Sequence, residues 1–176
     1  MAELITQKLE RKINDKTVRL FRCGNEELDS FIRSRALKQM EMSLSTCFVW
    51  MDNDQIVGYY TLSTYAVSRK ELPHELIKGM PMYDSYPMIL LGRMAVSREY
   101  QGKGNGEILL MDAYKRCYSV SSEIGAFALI VEPKNGVDKF YTQMGFSNLP
   151  DSNMLIIPIK TIEQLLKDEP EERQLG

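Results

Sequence analysis

Between residues 101 and 106 the chain reads Gln-Gly-Lys-Gly-Asn-Gly, directly after the apolar run Met88–Val96 and directly before a helical pattern. That succession is a strand, a glycine-rich turn and a helix N-terminus. Three glycines within five positions allow positive φ and turn backbone N–H groups toward a concave space. The helix that follows adds its unpaired amides and the positive end of its dipole. Such a turn binds an anion, above all a phosphate. The order is neither Gly-x-x-x-x-Gly-Lys-Ser/Thr nor Gly-x-Gly-x-x-Gly, which argues against nucleoside triphosphates and dinucleotides. It is Gln-x-x-Gly-x-Gly.

A second segment, Phe140-Tyr-Thr-Gln-Met-Gly-Phe146, follows after room for a helix and a strand. The two motifs in this order resemble the GNAT superfamily of acyl-CoA-dependent N-acetyltransferases, over roughly residues 46–158. In that family the first motif is the pyrophosphate loop and the second carries a tyrosine. The resemblance implies acetyl-CoA as donor and an amine as acceptor.

The length of 176 residues fits one domain, expected over 1–167, with a charged tail at 168–176. Cys23, Cys47 and Cys117 are scattered and odd in number, which argues for buried thiols in a reducing compartment. The sole histidine, His74, supports neither a multi-histidine metal site nor a triad, so no metal is expected. No apolar stretch reaches bilayer-spanning length and the first residues do not form a signal peptide; the expected location is the cytoplasm.

Along the chain, Thr17–Phe21 reads as a short alternating strand. Asn25 reads as the cap of a helix over about 25–39, with Leu28, Phe31, Ile32 and Ala36 on one face. Thr46–Met51 and Ile56–Val67 form a hairpin pattern around Asp52-Asn-Asp-Gln55, with Gly58 admitting a close backbone approach. Prolines and glycine break 69–87 into a loop with room for a short helix, and Met88–Val96 is apolar enough to be buried on both faces. Leu110, Ala113, Tyr114, Cys117 and Tyr118 predict an amphipathic helix over 105–120. Ala126–Val131 follows as a buried strand. Val137, Phe140, Tyr141 and Met144 predict another helix closed by Gly145, then come a strand at Met154–Ile159 and a small helix around Ile162, Leu165 and Leu166. This order predicts an α/β (α+β) domain with a mixed sheet flanked by helices. It agrees with the GNAT fold, whose two central parallel strands, here about 88–96 and 126–131, splay apart to hold the cofactor.

The resemblance also implies roles. Backbone groups of Met94, Ala95 and Val96 pair with the pantetheine arm, and the phosphates sit on the amides of Gln101, Gly102, Lys103, Gly104, Asn105 and Gly106, with charge from Lys103. Tyr141 is the general acid for the departing thiolate, since a phenol with an ordinary pKa near 10 is an intact proton source at neutral pH. Many members carry Asn seven residues before the tyrosine. Here Lys134 holds that position, and Asn135 is the cofactor contact one residue late. Glu132 is the candidate carboxylate base, with water as the alternative.

Phe21–Phe31, Ile56–Ser63 and Leu91–Val96 look like the GNAT toxins of bacterial toxin-antitoxin pairs, which acetylate the amino group of aminoacyl-tRNA. That resemblance implies an aminoacyl-tRNA acceptor, an antitoxin protein as partner, and Arg93 beside the reaction centre as an acceptor contact; a homodimer fits it. Residues 1–38 carry nine Lys/Arg against six Asp/Glu on a chain of net charge −2, so Lys8, Arg11, Lys12, Lys16, Arg19, Arg22, Arg33, Arg35 and Lys38 are candidate phosphate contacts. The sequence pI of about 5.6 points the other way. A small-molecule or protein-amine acetyltransferase and a non-catalytic acyl-CoA sensor therefore stay open.

Overall fold

A computed structural model of the chain describes residues 3–13, 15–134 and 136–169. The elements run β1 (Thr6–Lys8), α1 (Asp15–Leu20), α2 (Glu26–Ser34), α3 (Ala36–Glu41), β2 (Thr46–Asp52), β3 (Gln55–Ser68), α4 (His74–Ile77), β4 (Ser85–Val96), α5 (Asn105–Ile124), β5 (Ala128–Val131), α6 (Asp138–Gln143), β6 (Ser147–Asn148), β7 (Leu155–Pro158) and α7 (Ile159–Lys167). Single 3₁₀ turns stand at Arg69–Glu71 and Arg98–Tyr100. The strands hydrogen-bond in the order β1-β2-β3-β4-β5-β7-β6, giving the mixed seven-stranded sheet with helices that the pattern predicts. Contacts divide the chain into two compact units, Met1–Ser63 with Gly92–Lys115 and Thr64–Leu91 with Arg116–Gly176.

In the first unit β1 pairs antiparallel with β2, and β2 with β3 across the expected hairpin. Its turn is tighter than the four-residue reading: Asp52 and Gln55 still pair, and Asn53 takes the positive φ of 51°. Phe31, Ile32, Ala36, Cys47, Val49 and Tyr59 form the centre of the apolar core, each at most 2% exposed. Fully burying an aliphatic or aromatic side chain contributes about 1.5–3 kcal/mol, so this cluster dominates the unit's stability. Tyr59 donates its hydroxyl to Leu28 O at 2.7 Å, which fixes α2 on β3.

Two expectations fail here. Thr17–Leu20 is helical, not a strand: Asp15 sits in the first turn, Arg19 in the last, and the adjacent residues Thr17 and Val18 are both buried, which a half-buried strand cannot do. The helix expected over 25–39 starts at its Asn25 cap, whose side chain accepts from Glu27 N and Leu28 N, but breaks at Arg35. There φ of −118° leaves the helical range, although Arg35 N–H still reaches Phe31 O and Gln39 N–H still reaches Arg35 O, each at 2.9 Å. Gly58 behaves as expected: a Cβ there would stand 2.8 Å from Ala95 O and 3.0 Å from Leu109 Cδ2.

In the second unit β4 pairs parallel with β5 from Met88↔Ala128 to Leu91↔Val131, and β5 pairs antiparallel with β7. The parallel register ends at Leu91, while β4 runs on to Val96. The strand starts at Ser85 rather than after Pro87. A proline forgoes only its own N–H, and Pro87 O still accepts from Phe127 N at 2.9 Å. All four residues of β5 are buried, as its unbroken apolar run demands.

α5 carries Leu109, Leu110, Ala113, Tyr114 and Cys117 on its fully buried face, and it runs to Ile124 before Gly125 ends it at φ 68°. Asp112 shares that face at 2% exposure. Its Oδ1 accepts from Ile5 N at 2.7 Å and Thr6 N at 3.3 Å, and its Oδ2 from Thr6 Oγ1 at 2.5 Å and Tyr60 Oη at 2.7 Å. One buried carboxylate therefore ties β1 and β3 to α5. Asp112→Ala leaves these donors without their acceptor, at a cost of roughly 3–5 kcal/mol. Urea unfolding checks this: the midpoint should fall steeply for Asp112→Ala and less for Asp112→Asn, which retains one acceptor oxygen.

Candidate active site

The glycine turn is built from backbone conformations that only glycine takes without strain. Gly102 has φ of 71° and Gly104 of 81°, and a Cβ at either would meet no atom within 4 Å, so the requirement is conformational and not steric. Ile108 N–H, donating to Gly104 O at 3.2 Å, makes the first backbone bond of α5. Among the described residues the amides of Gly102, Lys103, Gly104, Asn105, Gly106 and Glu107 take no acceptor. A row of amides at the N-terminus of a twenty-residue helix is a ready anion cradle.

Side chains fix the cradle in place. Gln101 Nε2 donates to Val96 O at 2.8 Å and to Cys23 O at 2.7 Å, so one side chain clamps the end of β4 to the segment before α2. Its own N–H is engaged with Arg98 O at 3.3 Å, so Gln101 contributes a brace and not an amide for phosphate, contrary to expectation. Asn105 Nδ2 holds Tyr100 O at 2.8 Å. Tyr100 Oη in turn reaches Asp52 Oδ2 at 3.0 Å and Gln55 Oε1 at 3.2 Å on the hairpin. Lys103 Nζ donates to Glu99 O at 2.9 Å, which keeps its charge beside the turn.

The strand before the turn presents Met94 and Val96 half-buried, while Ala95 is buried in the core. Arg93 lies on the face opposite Met94, its guanidinium carbon 3.9 Å from the Phe31 ring centroid. Of the basic residues named in the sequence, Arg33 pairs with Glu26 at 3.5 Å and Asp29 at 3.6 Å, Lys12 with Glu10 at 2.9 Å, and Arg11 with Glu41. Arg33 is the half-buried one of the three, while Arg11 and Lys12 pair at the exposed surface. Lys8, Arg19 and Lys38 are exposed. Asn135 lies outside the described residues, and Glu132 is exposed directly after β5.

Tyr141 sits at the third position from the end of α6, and the sequence motif around it is a helix cap. Gly145, at φ 102°, follows the capping residue Met144. Phe146 N–H donates to Tyr141 O at 3.1 Å and Gly145 N–H to Thr142 O at 3.2 Å, which closes the helix by the paired bonds of a left-handed cap. The Phe146 ring meets the Tyr141 ring edge-on at 5.4 Å, and Phe140 does so at 5.1 Å. The ring is 6% exposed, yet its hydroxyl has no hydrogen-bond partner among the described residues. Burial pushes the phenol up from 10.0 to about 12, so it holds its proton throughout the neutral range.

Burial disfavours the thiolate form of all three cysteines. Burial pushes Cys47 and Cys117 up to about 12, and Cys23 rises to about 11 through burial and its contact with Asp29. Sequence reasoning missed Asp29, which is 3% exposed and accepts from Cys23 N at 2.8 Å, ordering the segment that Gln101 grips. Its signal is a carboxylate one turn after the Asn25 cap, between the apolar positions Leu28 and Phe31.

Comparison with known proteins agrees with this architecture. Residues 43–148 match the model of the acetyltransferase (GNAT) domain family. A tRNA-acetylating toxin of Mycobacterium tuberculosis is 35% identical over 161 residues, covering 90% of this chain and 96% of that protein. Among solved structures, AtaT complexed with acetyl-methionyl-tRNAfMet superposes with a TM-score of 0.82 at 30% identity, covering 93% of this chain and 99% of that one. A tyrosine-to-phenylalanine mutant of the AtaT toxin, bound to the C-terminus of the antitoxin AtaR and acetyl-CoA, gives 0.76 at 27% identity over 94% and 99%. With both motifs in place on a mixed sheet and a matching domain that spans more than half its length, the chain belongs to the GNAT acetyltransferase family.

Proposed function

We propose that this protein transfers the acetyl group of acetyl-CoA to the amino group of an aminoacyl-tRNA, acting in the cytoplasm as the toxin of a toxin-antitoxin pair. The observation that carries the donor half is the set of amides from Gly102 to Glu107, oriented by two left-handed glycines and left without acceptors. They would take the donor's phosphates, while the backbone of Met94–Val96 lines the pantetheine arm. The activity named for the relatives supports the acceptor half, and their antitoxin complex supports a protein partner.

Direct transfer is the mechanism these groups favour, because the cysteine thiols are held protonated and no covalent acetyl-enzyme is called for. The neutral amine attacks the thioester carbonyl carbon and forms a tetrahedral oxyanion. A backbone N–H of the 94–96 strand would face that oxygen. As the C–S bond breaks, Tyr141 gives its phenolic proton to the departing thiolate and later regains one from solvent. The acceptor nitrogen loses its extra proton to water or to Glu132.

Three outcomes are expected. Gly104→Glu adds negative charge and forces a non-glycine residue into φ of 81°, so calorimetry on the folded variant should detect no acetyl-CoA binding. Undiminished binding would remove the turn from the donor site. Tyr141→Phe keeps the ring packing and should lower kcat by roughly 10²-fold or more with little change in melting temperature. Wild-type turnover by that variant would exclude Tyr141 from the chemistry. Charged tRNA incubated with enzyme and labelled acetyl-CoA should acquire acetyl on its aminoacyl nitrogen, less so at high salt. Acetylation of polyamines or peptides with every charged tRNA left unmodified would contradict the acceptor.

A further inference from the structure

Asp29, Thr61 and Asp112 are each at most 3% exposed. The carboxylates have their donors: Asp29 accepts from Cys23 N, and Asp112 from Ile5 N and Tyr60 Oη. Thr61, at 1% exposure, has no hydrogen-bond partner for its hydroxyl among the described residues. A buried polar group without a partner calls for an explanation, because its desolvation goes uncompensated. The oxygen is also not sealed in. Among the described residues the side-chain atoms that are both shut off from solvent and partnerless are Nε and Nη2 of Arg33, so the little that Thr61 exposes is at Oγ1.

Its surroundings show where that hydroxyl opens. Thr61 stands two residues after Tyr59 on β3, so both side chains face the α2 side, to which Tyr59 is tied through Leu28 O. A Cβ on Gly92 of β4 would stand 3.0 Å from Thr61 Oγ1 and, chain neighbours apart, would meet no other atom within 4 Å. Gly92 is not among the glycines of positive φ, so what glycine supplies at this position is space and not conformation. The residue is exposed, and the gap left by its missing side chain therefore leads from the surface to the hydroxyl. Arg93 follows directly, its guanidinium over Phe31 of α2.

We propose that Thr61 binds the amino group of the acceptor: Oγ1 accepts one N–H of the attacking nitrogen, which reaches it through the space over Gly92. A neutral hydroxyl at the foot of an opening one side chain wide suits a small N–H donor and not a phosphate, which calls for cations or a row of amides. Holding the nitrogen through an N–H leaves its lone pair for the thioester carbonyl carbon. The inference rests on the acceptor reading above and deepens it, since phosphates are common to charged and uncharged tRNA whereas the aminoacyl nitrogen marks the charged one.

The test compares equilibrium affinities for charged and uncharged tRNA in the absence of acetyl-CoA, where nothing turns over, together with the KM for acetyl-CoA. The wild type should prefer charged tRNA. Thr61→Val keeps the branched shape and loses the hydroxyl, and should cut that preference roughly tenfold, with affinity for uncharged tRNA and the KM for acetyl-CoA unchanged. Its melting temperature should not fall, because the hydroxyl has no partner within the protein. Thr61→Ser should retain most of the preference. Gly92→Ala, which sets a methyl against the hydroxyl, should reproduce the loss of Thr61→Val; if it does not fold, the two Thr61 variants carry the test. An undiminished preference in Thr61→Val would overturn the inference alone. Equal losses for charged and uncharged tRNA would assign the hydroxyl to the fold, and a raised KM for acetyl-CoA with the preference intact would assign it to the donor; either overturns the inference. Wild-type protein that neither binds nor acetylates charged tRNA would overturn the acceptor reading and this inference with it.

Discussion

The hydrogen bonds of one side-chain amide join three segments at the glycine turn. Gln101 Nε2 bridges Val96 O and Cys23 O, and so joins the end of β4, the approach to α2 and the first residue of the glycine turn. With that brace in place, Gly102 and Gly104 can spend their left-handed conformations on pointing amides outward and not on reversing the chain. The same bridge links the end of β4 to the segment that leads into Phe31. A backbone bond from Arg98 N–H to Arg22 O at 2.8 Å runs beside it.

Elsewhere two buried carboxylates order the backbone around them. Asp112 gathers donors from β1 and β3 onto α5, and Asp29 orders Cys23 N–H ahead of α2. Both are carboxylates on apolar helix faces: N–H and O–H donors converge on Asp112, while Asp29 has the Cys23 N–H and the Arg33 guanidinium at 3.6 Å. The helix that Asp112 anchors is the one whose N-terminus forms the cradle, and Asp112 holds it about two turns beyond those amides.

Much of this was legible in the chain itself, and the exceptions have physical causes. The segment Phe140–Phe146 is readable because its residue types are those of a helix cap: glycine for the left-handed position, and aromatics at Tyr141 and Phe146 that meet across it. The hairpin and α5 are long enough to display their periods. α1 spans six residues, fewer than two turns, and Val18 and Leu20 alternate within it as a strand would. β1, with three residues, has no pattern of its own and exists through its pairing with β2 and the Asp112 contact. Pro87 read as a boundary because its missing N–H weighs against a strand, yet the bond it offers is its carbonyl. Gln101 was legible as a motif position but not as a brace, since both of its acceptors are backbone carbonyls, and one lies 78 residues away.

The central claim is that the amides from Gly102 to Glu107 are the donor's anchor. Residue-resolved amide hydrogen exchange, with and without acetyl-CoA, addresses it directly. The account predicts that Gly102, Lys103, Gly104, Asn105 and Gly106 exchange freely in the unliganded protein and become protected on binding, while Gln101, already bonded to Arg98 O, changes little. Binding of acetyl-CoA with protection elsewhere and none across these residues would contradict it.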